Sequence, residues 1–233
     1  MSSRGHGTID GLQSAVLLSG GLDSAVLLAD EAVRAEVQPI YVSVGLAWED
    51  AERAAVERLL ASGQRQARIR PLVVLSVDMR DVYAASHWAV VGRPPAYHTP
   101  DEDVYLPGRN VILLGKAGVF CAAAHIGRIA IGTLAHNPFP DATPEFRATM
   151  ARALSLGLDR PIEIDAPFAN LTKAEVVRRG LSLGVDFTVT LSCMNPAPRH
   201  CGVCSKCRER HDAFLEAGVL DPTDYVDSRY VRA

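Results

Sequence analysis

Between a short apolar run at residues 14–18 and a stretch at 23–34 with Ala, Leu and Val at helical spacing, the chain reads Ser19-Gly20-Gly21-Leu22-Asp23-Ser24. A strand that turns through two glycines into a helix constrains this chain more than any other feature. The glycines let the backbone curl so that successive N–H groups point at one place, and the helix end adds partial positive charge. With the hydroxyls of Ser19 and Ser24, the turn reads as a cradle for a phosphate or pyrophosphate. It lacks the Gly-Lys-Ser/Thr of one phosphate loop and the three spaced glycines of the dinucleotide fingerprint. Asp23 would repel phosphate unless a bridging Mg²⁺ stood between them. The plainer reading makes Asp23 a helix cap.

The strand–helix rhythm continues. Residues 39–44 and 70–77 are β-branched runs, and residues 49–60 read as an amphipathic helix between them. This order predicts an α/β fold, a mostly parallel sheet with helices on both faces. Residues 84–109 break the pattern with Pro94, Pro95, Pro100 and Pro107, and long irregular segments are often functional. Helices are expected at 110–125, 144–156, 172–180 and 208–217, and short strands at 128–132 and 161–166. Residues 1–12 should be a loose start. Residues 1–190 are expected as the main domain, with 191–233 a small C-terminal segment packed against it as one unit.

Several classes are disfavoured. No apolar run approaches the length of a membrane span, and no basic stretch followed by an apolar one opens the chain, so a cytoplasmic protein is expected. Against 24 basic side chains stand 27 acidic ones, a net charge of −3, the wrong sign for gripping a nucleic-acid backbone.

Four of the five cysteines, Cys193, Cys201, Cys204 and Cys207, fall within fifteen residues. In a reducing compartment such a cluster reads as metal ligands. Four thiolates with no open position suit one structural Zn²⁺ per chain, and a [4Fe–4S] cluster accepts the same donors. His200 and His211 lie nearby, and we expect them in exposed loop and helix positions rather than as ligands. Cys121, in an Ala-rich stretch, reads as a small core residue.

The string at 19–24 resembles the PP-loop of the N-type ATP pyrophosphatases, with their adenine nucleotide alpha hydrolase-like fold. Together with the cysteines it resembles the QueC family of 7-cyano-7-deazaguanine synthases. Further matches are Leu106-Pro107-Gly108-Arg109-Asn110, Pro140-Asp141-x2-Pro144-Glu145-Phe146, Ala166-Pro167-Phe168 with Thr172-Lys173-Ala174-Glu175, and Cys201-Gly202-x-Cys204-x2-Cys207-Arg208-x-Arg210. The resemblance implies a two-stage ligase. ATP adenylates the carboxylate of 7-carboxy-7-deazaguanine, and ammonia displaces AMP to give the amide. A second ATP then activates the amide, and loss of AMP leaves the nitrile preQ0.

It also implies roles. The 19–24 loop, Leu22 included, would hold pyrophosphate, and Asp23 would hold Mg²⁺. Lys173 would neutralise phosphate charge, and Arg109 would grip a carboxylate or phosphate. Asn110 would hydrogen-bond there or cap the following helix. A homodimer is implied. At residues 44–48 and 134–142 the chain departs from the family's usual Tyr-Gly-Gln-Arg-His-like and Asp…Ser-Gly-Tyr-Pro-Asp-Cys stretches, and altered recognition of the base is expected there. Two other readings stay open at this level: a divergent PP-loop enzyme that stops at the amide or activates another carboxylate, and a zinc-stabilised nucleotide-binding module without catalysis.

Overall fold

The computed structural model describes residues 14–62 and 68–231; the expected loose start at 1–12 lies outside the described residues. Five parallel strands form one sheet in the order β3-β2-β1-β4-β5, with β1 Ser14–Leu17, β2 Val37–Ser43, β3 Val73–Ser76, β4 Arg128–Ala130 and β5 Glu163–Asp165. The α-helices among the described residues are α1 Leu22–Arg34, α2 Glu49–Ser62, α3 Trp88–Val91, α4 Arg109–Ala123, α5 Pro144–Leu158, α6 Lys173–Ser182 and α7 Ser205–Ala217.

Side chains along the central strands alternate between two cores. Ala15, Ile40, Val42 and Ile129 pack on the face covered by α4 and α5. Val16, Tyr41 and Ala130 pack on the face that carries α1, α6 and α7. This is the doubly wound arrangement the strand–helix rhythm predicts. Because β2 and β4 flank β1 on opposite sides, the strand order reverses beside β1, and a crevice opens at that switch point.

Strand edges differ from the sequence expectation where proline intervenes. The third strand was expected over 70–77, but ladder pairing starts at Val73, and Pro71 has no N–H to donate. The last helix starts at Ser205, three residues before the expected 208, directly after the ligand candidate Cys204. Residues 84–109 contain α3 and a 3₁₀ turn at Asp101–Val104. They are fastened to α7: Arg208 donates from Nη1 to the carbonyls of Tyr97 and Thr99 (3.0 Å each) and from Nη2 to Asp101 (2.8 Å). Among the described residues, no helix is long and apolar enough to cross a membrane.

Candidate active site and metal centre

The glycine-rich turn connects β1 to α1. Gly20 has φ +75°, a left-handed conformation that favours glycine, and a Cβ there would lie 3.1 Å from the Glu52 carbonyl and from Val56. Gly21 is the N-cap of α1, and no side chain caps the helix. The first-turn N–H groups, which have no partner within a helix, therefore stay available at its positive end. Ser24 Oγ accepts from Ser19 N (3.2 Å), donates to the Gly21 carbonyl (3.1 Å) and lies 3.2 Å from Ser19 Oγ. The capping alternative for Asp23 does not hold, since Asp23 lies inside the first turn of α1.

The turn forms one wall of a cavity of about 290 Å³ at the switch point. Ser19, Gly21, Asp23 and Ser24 line it together with Arg109, Asn110, Gly132 and Thr133. Lys173, the first residue of α6, is aimed at the turn by a capping box: Thr172 Oγ1 accepts from Glu175 N (3.2 Å), and the Glu175 carboxylate accepts from Thr172 N (2.7 Å). Lys173 Nζ sits 3.0 Å from Asp23 Oδ2 and donates to Glu209 Oε1 at 2.6 Å. Burial works against its charge, but the Asp23 and Glu209 carboxylates prevail and hold the ammonium protonated. Burial raises Asp23, with Lys173 pulling the other way. Asp23 Oδ1 and Arg109 Nε are both buried without a hydrogen-bond partner. A carboxylate oxygen and a guanidinium N–H left over beside a phosphate-sized cradle fit a cation and an anionic ligand respectively.

Asn110 does not cap α4, whose N-cap is Gly108. Its N–H and Nδ2 donate to Asp141, to Oδ2 at 3.1 Å and to the carbonyl at 3.0 Å, which braces the opposite wall. Tyr105 and Phe139 stack with ring centroids 5.2 Å apart, and both line the cavity.

Four charged lining or supporting residues escaped the sequence reading: Glu52, Asp141, Lys206 and Glu209. Asp141 was part of a quoted motif, and Glu209 occupied its variable position between Arg208 and Arg210. Glu52 lies among Ala51, Ala55 and Val56 on the packed side of α2, where a carboxylate is itself a signal. Glu52 Oε2 accepts from the Tyr41 hydroxyl at 3.0 Å. Burial pushes the Glu52 carboxyl up to about 7, partly offset by Arg109 and the Tyr41 hydroxyl. Its folded value lies above the ordinary 4.5, so the fold favours the protonated form. That contribution is complete below about pH 4.5 and is lost as pH rises through about 7. Glu52→Gln should therefore raise the thermal midpoint by roughly 7 °C at pH 8 and leave it unchanged at pH 4.5. Equal midpoints at pH 8 in a thermal-shift series would contradict this.

The four cysteines converge as expected. Their sulfurs all lie within 4.8 Å of one another, with Cys193–Cys204 and Cys201–Cys207 at 3.9 Å. One tetrahedral ion with metal–sulfur bonds of ~2.3 Å sets its thiolates roughly 3.8 Å apart. Backbone N–H groups of Asn195 and Cys201 point at Cys193 Sγ, and that of Gly202 points at Cys207 Sγ, each at 3.4 Å. Neither histidine belongs to the cluster. His200 is buried rather than exposed as expected, because its Nε2 accepts from Ser192 N at 3.0 Å. His211 sits 3.4 Å from Asp221. Cys121 is buried in α4, and burial pushes its thiol up to about 12.

Residues 13–218 match the profile of a family described as queuosine biosynthesis protein QueC. The chain belongs to the QueC family. It is 35% identical over 227 residues to the 7-cyano-7-deazaguanine synthase of Geobacter metallireducens, covering 91% of this chain and 93% of that protein. Over 229 residues it is 32% identical to the synthase of that name from Paramagnetospirillum magneticum, covering 90% and 97%. With that of Frankia casuarinae the identity is 33% over 222 residues, covering 89% and 91%.

The two stretches that depart from the QueC pattern have different fates. Residues 44–48 do not line the cavity: Val44, Leu46 and Trp48 are buried in the core, and Trp48 stacks on Trp88. Asn137, Phe139 and Asp141 from the second stretch do line it.

Proposed function

We infer that this chain is an ATP-dependent carbon–nitrogen ligase that makes preQ0 from 7-carboxy-7-deazaguanine and ammonia. Family membership supports the overall reaction. The observation that carries the mechanism is the gathering of the uncapped α1 N-terminus, Asp23 and Arg109 at one switch-point cavity, with Lys173 paired to Asp23.

The Ser19–Ser24 backbone and hydroxyls hold the β- and γ-phosphates of ATP. Lys173 neutralises charge that develops on the leaving pyrophosphate, and its two carboxylate neighbours keep it positive. Asp23, whose Oδ1 has no protein partner, would hold Mg²⁺, which would supply a further counter-charge to the phosphates. Arg109 Nε, also unpartnered, binds the substrate carboxylate or the α-phosphate. Asn110 acts through Asp141 to fix the wall that faces them. No side chain forms a covalent intermediate. The substrate carboxylate attacks the α-phosphate and pyrophosphate departs; ammonia then displaces AMP. The amide oxygen repeats the attack on a second ATP, and loss of AMP and a proton leaves the nitrile. The apolar wall from Ile40, Leu106, Leu113 and Ile131 suits a flat heterocycle. The cysteine cluster holds one structural Zn²⁺, the protein acts in the cytoplasm, and it works as a homodimer.

Turnover with ATP, Mg²⁺, ¹⁵N-ammonium and 7-carboxy-7-deazaguanine, read by mass spectrometry, should give a ¹⁵N-labelled nitrile with two AMP and two pyrophosphate per product. Labelled amide alone would remove the second activation from this reading. AMP release only with other carboxylates would overturn the substrate assignment.

A further inference from the structure

Helix α7 begins directly after Cys204, which puts Lys206 in its first turn. Lys206 lines the same cavity as Ser19, Gly21, Asp23 and Ser24. One turn along, Glu209 bridges two ammonium groups from two helices: its Oε1 lies 2.6 Å from Lys173 Nζ on α6, and its Oε2 lies 2.6 Å from Lys206 Nζ. The two lysines differ in what they have left to give. Each ammonium carries three N–H donors. Lys173 directs donors to Asp23 and Glu209, whereas among the described residues the one carboxylate within ion-pair distance of Lys206 is Glu209, which leaves it two donors for a ligand. Within this four-residue cluster the formal charges cancel, two lysines against two carboxylates. Once Asp23 turns to a cation, the cluster presents a net positive face to the phosphates.

We propose that Lys206 is a second pyrophosphate-binding cation of the ligase, and that Glu209 is the positioning residue that aims both lysines at the leaving group. The proposal rests on the placement of the phosphates at Ser19–Ser24 argued above. It assigns to the helix that follows the metal ligands a part in nucleotide chemistry. A ligand with two linked phosphates would accept from Lys173 on one side and Lys206 on the other, while Glu209 keeps the two ammonium groups apart and oriented.

The test is direct binding of α,β-methylene ATP with Mg²⁺ by calorimetry, together with pyrophosphate inhibition of AMP formation. Binding of the analogue needs no carboxylate substrate, so a wrong substrate assignment leaves this measurement intact. Lys206→Met should weaken analogue and pyrophosphate binding about tenfold or more, whereas Lys206→Arg should stay within threefold of the parent. Under turnover the ATP KM should rise in parallel, with the KM for the carboxylate unchanged. Glu209→Gln should instead lower kcat about tenfold and change analogue affinity little, because it loosens the aim of both lysines while removing a negative charge near the phosphates. Metal content and thermal midpoint are read alongside. If Lys206→Met loses metal, Lys206→Gln carries the same comparison. Analogue and pyrophosphate binding within twofold of the parent in a metal-replete Lys206 variant without the ammonium would overturn the proposal. A Glu209→Gln kcat equal to the parent's would overturn the positioning role.

Discussion

Lys173→Met is expected to abolish adenylation, with kcat for pyrophosphate release falling at least about 10³-fold. The physical reason is the timing of charge. As pyrophosphate leaves, negative charge accumulates at the turn where Lys173 is already fixed by Thr172, Glu175, Asp23 and Glu209. A fixed ammonium needs no reorganisation at that moment, whereas solvent would. The substitution also leaves Asp23 and Glu209 without their shared counter-charge, so the thermal midpoint should drop as well. Asp23→Asn separates the two effects. It keeps the side-chain shape and removes only one carboxylate charge, so the midpoint should hold while turnover falls by a similar factor and the Mg²⁺ requirement rises. A Lys173→Met enzyme that kept a tenth of parental kcat would end the assignment.

Loss of the metal is expected to have the largest effect on stability. Cys207→Ser, or chelation of the parent protein, should lower the thermal midpoint by roughly 10 °C or more and remove ATP turnover with it. The thiolates hold together a segment with a small core of its own: Leu191, Cys193, Cys204 and Cys207 pack against Ala51 and Ala55 of α2. The next helix carries Glu209, which accepts from Lys173, so unravelling at the cysteines would withdraw that support from the proposed phosphate site. Elemental analysis should find one zinc per parental chain. A Cys207→Ser protein with parental midpoint and metal content would refute this. Tolerance around the cluster should be narrow, since a Cβ at Gly202 would lie 1.8 Å from the Asp227 carbonyl.

The sheet, the glycine-rich turn and the convergence of the cysteines were legible in the sequence because each is encoded locally. Residues 14–34 carry strand, turn and helix in one continuous stretch, and the cysteines announce themselves by spacing. What stayed hidden depends on tertiary contact. Glu209 and Lys206 read as ordinary charges on a soluble helix until α6 and α7 come together. The register of α7 was also set three residues late, which left its first turn, and Lys206 with it, out of the site. Glu52 is paired with Tyr41, eleven residues back on the adjacent strand, and only the folded crevice gives that pairing meaning. The buried place of His200 was not legible, because its ring accepts from a backbone N–H at Ser192 that no local pattern reveals.

The Trp48–Trp88 stack has a consequence for how this chain can vary. The rings lie nearly parallel, with centroids 5.7 Å apart, and the backbones behind them are joined where Ala47 N donates to the Ala89 carbonyl at 2.9 Å. Residues 44–48 and the turn around Trp88 are thus two halves of one packed joint. A relative that carries a smaller, polar side chain at position 48 must fill the vacated volume from position 88 or its neighbours. Grafting either stretch alone between QueC proteins would import half a joint, whereas exchanging residues 44–48 together with the turn around Trp88 would carry the whole joint across.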